Sequence, residues 1–70
     1  MSVGAAIGSY LKENGIKQTF LADKVGMPDA KMSAIINQGQ RIEVVEYYKI
    51  CKALDVPFEK FLVDAVLEGR

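Results

Sequence analysis

Residues 17–39, KQTFLADKVGMPDAKMSAIINQG, decide the fold, because they read as two short amphipathic helices joined by a tight glycine turn. The first helix is predicted from about Gln18 to Val25, with Leu21, Ala22 and Val25 on one apolar face. Gly26 closes it, since glycine takes the left-handed conformation that ends a helix, and Pro28 suits the start of the next helix better than the interior of the old one. The second helix is predicted from about Pro28 to Asn37, burying Met32, Ile35 and Ile36 at i, i+3 and i+4. Its other face carries Ala30, Lys31, Ser33, Ala34 and Asn37. This is the layout of a helix-turn-helix, and a helix with small, polar and basic side chains outward can lie in a major groove.

Helices are expected on both sides of this stretch. An opening helix runs from about Val3 or Ala5 to Asn14, with Ile7, Tyr10 and Leu11 as its buried stripe and Asn14-Gly15 as its stop. Gly8 sits inside it at a cost of about 1 kcal/mol relative to alanine, so it either permits close packing or is tolerated. After a loop at Gln38-Gly39-Gln40-Arg41, a helix from about Glu43 to Leu54 presents Val44, Tyr47, Tyr48, Cys51 and Leu54 to the core. Asp55-Val56-Pro57 breaks it, and a last helix begins near Pro57 or Phe58, burying Phe58, Phe61 and Leu62 and running to Val66 or Leu67. No strand-like alternation is long enough to matter. The expectation is an all-α, five-helix fold, with residues 1–70 as one domain.

Composition narrows the function. Seventy residues hide only about 60% of their unfolded surface, which favours dimerisation. With no histidine and one cysteine, the chain lacks the usual general base and cannot assemble a zinc site, so neither an enzyme nor a metal or cofactor protein is expected. The closest same-face acids, Glu43 and Glu46, read as a solvated helix face rather than an acid/base pair. Cys51 falls on an apolar helix face and reads as a small buried thiol, which suits a reducing, cytoplasmic setting. No leader and no run of about 18 apolar residues is seen, so no membrane association is expected. Nine Lys plus Arg balance nine Asp plus Glu, an unusual neutrality for a protein that would neutralise phosphates. Binding depends on where charges sit, and Lys17, Lys31 and Arg41 fall near the docking face while Glu46, Glu59, Asp64 and Glu68 are expected behind it.

From Ile16 and Gln18 through Leu21-Ala22, Val25-Gly26, Met32-Ser33, Ile35, Asn37 and Gly39 to Lys49-Ile50-Cys51-Lys52-Ala53-Leu54-Asp55-Val56, the chain resembles the phage repressor and Cro-type (XRE-like) helix-turn-helix family. The likeness covers roughly residues 5–63 and needs no net insertion. It implies a lambda-repressor-like domain and a small transcriptional regulator, phage-related and of repressor or Cro type, that reads double-stranded DNA. In that resemblance Gln18 contacts backbone phosphate and braces the recognition helix, for which an amide suits because it donates and accepts at once. Asp29, Ala30, Lys31, Ser33 and Ala34 match the positions that face bases. Lys31 suits guanine or phosphate, Ser33 either, and Ala30 or Ala34 a thymine methyl, whereas Asp29 is better placed to favour the helix N-terminus. Lys17 and the polar loop of Asn37, Gln38, Gln40 and Arg41 add phosphate contacts. Family members often pair through the segment joining the last two helices, here Asp55, Val56, Pro57 and Phe58, with Val63, Val66 and Leu67 as alternatives for a homodimer.

Some positions depart from the family's pattern. Lys17 and Pro28 stand where Ser or Thr usually caps the motif helices, at a cost of about 1 kcal/mol each if nothing substitutes. Phe20 and Ile36 are apolar where the family is polar. If they form a patch with Met27 or Met32, the scaffold instead suits a protein partner, as an antitoxin or antirepressor partner would.

Overall fold

Ser2 starts the first helix in the computed structural model, which describes residues 2–63. Its hydroxyl oxygen accepts the Ala5 N–H at 3.0 Å and caps α1, Val3–Glu13. The motif helices follow as α2, Gln18–Val25, and α3, Asp29–Gln38, then α4, Val44–Leu54. A fifth helix, α5, opens at residue 60. The described residues contain no strand, and the fold is all-α with a helix-turn-helix formed by α2 and α3.

Each of the first four helices stops in the same way. The next residue or the one after it turns left-handed, at Gly15, Gly26, Gly39 and Asp55. The backbone then folds back to bond a carbonyl in the last turn, as Ile16 N–H does to Leu11 at 2.8 Å and Met27 N–H does to Ala22 at 2.8 Å. At Gly26 this stop sets the angle between α2 and α3. Asp55 is the one non-glycine residue of the described chain in this conformation (φ 57°).

Ile7, Leu21, Met32, Ile35, Ile50, Cys51 and Phe61 are fully buried and form the centre of the core. Two glycines let α1 approach α3 closely. A Cβ on Gly4 would lie 1.9 Å from the Ile35 carbonyl oxygen, and one on Gly8 would lie 2.6 Å from Ile36 Cγ2. Gly8 thus serves close packing. Phe61 makes edge-to-face contacts with Tyr10 and Tyr47 at centroid distances of 5.6 and 6.4 Å. The Tyr47 hydroxyl donates to the Phe58 carbonyl and accepts the Phe61 N–H at 3.3 Å, fastening α4 to the start of α5.

The buried stripe of α4 differs from expectation. Val44 is 74% exposed and Tyr48 52% exposed, whereas Ile50 is buried, so the stripe is Tyr47, Ile50, Cys51 and Leu54. The last helix also starts later than expected. Phe58 and Glu59 form a turn, and of Phe58, Phe61 and Leu62 only Phe61 is buried. Phe58 meets the Tyr47 ring edge-to-face, centroids 4.8 Å apart, and remains exposed. Cys51 is buried as expected, and burial pushes its thiol pKa up. Asp64, Val66, Leu67 and Glu68 lie outside the described residues. Among the described residues no helix is long and apolar enough to cross a membrane.

Candidate nucleic-acid interface

Burial of Met32, Ile35 and Ile36 turns the opposite side of α3 outward. Ala30, Ser33, Ala34 and Asn37, at i, i+3, i+4 and i+7, share that side; Ala30 and Asn37 are exposed, and Ser33 and Ala34 are half-buried. The Asn37 amide donates to Ser33 Oγ at 3.2 Å, so the two polar groups of the stripe are held together. Asp29 is exposed at the first turn, where its charge complements the helix dipole.

At the C-terminal end of α3, three elements meet. Gln18, the first residue of α2, lines a concavity with Ala5, Gly8, Ser9 and Lys12 of α1 and with Ile36 and Asn37. Arg41 lines a second one with Ser2, Val3, Gly4, Gly39 and Gln40. Gln38, Gln40 and Arg41 are exposed, as is Lys17 immediately before Gln18. Ser9 and Lys12 are therefore neighbours of the expected site that sequence reading missed. Their spacing from Ala5, i+4 and i+7 along the outer face of α1, was the available signal. Lys17 and Pro28 occupy the cap positions of α2 and α3 and make no side-chain cap bond, as expected.

Lys31 is different. Its ammonium forms an ion pair with Glu46 of α4, so the carboxylate expected behind the docking face touches the front of α3 instead. Glu46 also accepts the Glu43 N–H at 3.1 Å, which bends it back over the start of α4 and toward α3. The hydrogen bond to Glu46 raises the pKa of Lys31, and the bonds from Lys31 and the Glu43 amide lower that of Glu46. Phe20 and Ile36 do not form an apolar patch with Met27 or Met32. Ile36 is packed against Gly8, and Met27 and Met32 are buried. Phe20 is 56% exposed with the Lys24 ammonium 5.6 Å over its ring.

Among the described residues no cluster of His, Cys, Asp or Glu could hold a metal ion. No curated protein and no solved structure matches the chain. A family match covers residues 6–64, which takes in α1 from its fourth residue, all of α2 to α4 and the opening of α5. The chain belongs to the Cro/C1-type HTH DNA-binding domain family.

Proposed function

We propose that the protein is a sequence-specific transcriptional regulator of repressor or Cro type that lays α3 in the major groove of double-stranded DNA as a homodimer. The outward stripe of Ala30, Ser33, Ala34 and Asn37 carries this reading, because it is slim enough for the groove and offers methyl, hydroxyl and amide groups to base edges. Ala30 and Ala34 pack on thymine methyls, while the linked pair Ser33 and Asn37 meets hydrogen-bonding edges. Lys17, Gln18, Gln38, Gln40 and Arg41 bind phosphates around the C-terminal end of α3, and Lys12 reinforces them. Asp29 and Lys31 flank the N-terminal end.

The homodimer forms through Asp55, Val56, Pro57 and Phe58. Support for this comes from exposed apolar side chains, Phe58 in the turn before α5 and Leu62 and Val63 in its first turn. Two copies related by a twofold axis would read half-sites about one helical turn, roughly 34 Å, apart.

Titration of isotope-labelled protein with short mixed-sequence duplex DNA tests the docking face. Amide signals should move at 17–18 and 29–41 and stay fixed at 50–54 in α4. Shifts confined to α4, or none at low salt, would contradict it. The latter result would return weight to a protein partner.

A further inference from the structure

The front of α3 is tied to α4 by one carboxylate. Glu46 uses both of its oxygens: Oε1 accepts the Glu43 N–H at 3.1 Å and Oε2 meets Lys31 Nζ. This is the one ion pair among the described residues. Lys31 is the third residue of α3, on the stretch that enters the groove in the reading above. Its ammonium is directed instead toward a cleft lined by Val25, Met27, Pro28, Glu46 and Lys49. An ammonium paired there presents little net charge to phosphate, and engaging DNA means giving up this surface ion pair.

We propose that Glu46 is a positioning residue that withholds Lys31 from DNA. It is an internal stand-in for a phosphate that lowers affinity and salt sensitivity and leaves base reading to Ala30, Ser33, Ala34 and Asn37. The idea rests on the DNA-binding reading. The same carboxylate closes the start of α4, so releasing Lys31 without disturbing that helix calls for an isosteric change. Glu46→Gln keeps an oxygen for the Glu43 N–H and removes the charge that holds the lysine.

The experiment measures binding of short mixed-sequence duplex DNA from low to moderate salt for wild type, Glu46→Gln, Lys31→Ala and the double variant. Circular dichroism checks that each keeps its helix content. Glu46→Gln should bind more tightly at low salt and lose about threefold more affinity than wild type over a fourfold rise in salt, the signature of one extra phosphate contact. In the Lys31→Ala background Glu46→Gln should leave the salt slope unchanged. Binding by Glu46→Gln where wild type binds too weakly to measure would support the proposal as well. Wild-type binding with an unchanged slope in Glu46→Gln would overturn it while leaving the DNA reading intact. An equal gain in the Lys31→Ala background would also overturn it, since removal of any acid would then suffice. If no variant binds at low salt, both the proposal and the DNA reading fall.

Discussion

Replacing Gly4 with alanine should do more harm than replacing Gly8, although both changes improve helix propensity. In a helix interior Gly→Ala gains about 1 kcal/mol. Against that gain stands the space each methyl would enter. At Gly8 the new carbon lies 2.6 Å from Ile36 Cγ2, well inside the usual carbon–carbon separation of about 3.5–4.0 Å. A side chain can yield, so the overpacking cost falls within about 1–3 kcal/mol and the net loss should be roughly 0–2 kcal/mol. At Gly4 the obstacle is backbone, with the Ile35 carbonyl oxygen at 1.9 Å and its carbon at 2.8 Å. No rotamer relieves that overlap; α1 itself must withdraw from α3, which should cost roughly 3 kcal/mol or more. A chain of this size has only about 4–10 kcal/mol in total, so the variant should lose from about a third to most of its stability. Urea unfolding followed by circular dichroism reads both values. Gly8→Ala combined with Ile36→Ala should show a favourable coupling of about 0.5–3 kcal/mol, because the added methyl occupies the space vacated. A Gly4→Ala variant as stable as wild type would refute the close approach of α1 to α3.

Tyr47→Phe should lose about 1–2 kcal/mol by leaving the Phe58 carbonyl and Phe61 amide without their shared partner. Burial, the largest cause, pushes the Tyr47 pKa up to about 12, so the wild type should lose stability as pH rises from 10 toward 12, by up to about 2 kcal/mol more than Tyr47→Phe does in parallel melts. Because the folded pKa of Glu46 is lowered from 4.5, its contribution is present above that pH and lost as acid takes pH through the folded value; Glu46→Gln should flatten this part of the acid-unfolding curve. Lys17→Ser should raise stability by about 1 kcal/mol by supplying the missing cap of α2. The same change should lower the salt slope of DNA binding by about one.

The motif helices were legible because each carries its own punctuation. Glycine stops follow Val25 and Gln38, and the apolar spacing leaves one choice of buried face, so α2 runs from Gln18 to Val25 as read and α3 differs by a residue at each end. The fourth helix offered two overlapping stripes. Val44, Tyr48 and Cys51 compete with Ile50, Cys51 and Leu54 in hydrophobicity, and the packing of Phe61 against Tyr47 selects the second. Single helices contain no information about that partner. Ile36 is buried as its spacing implies, but what receives it was not legible: it packs in the notch left by Gly8, a residue 28 positions earlier. The outward stripe of α3 was readable from periodicity, whereas the capture of Lys31 by Glu46 was not. Fifteen positions and a helix crossing separate those residues, and nothing local distinguishes that acid from its exposed neighbour Glu43.

Whether α3 reads duplex DNA in a twofold assembly can be decided by selection from a random pool of short duplexes at low salt, with the affinity of the enriched sequence repeated at higher salt. A palindrome with half-sites about one turn apart should emerge, bound with a steep salt slope. A pool that emerges unenriched, with no binding even at low salt, would contradict it.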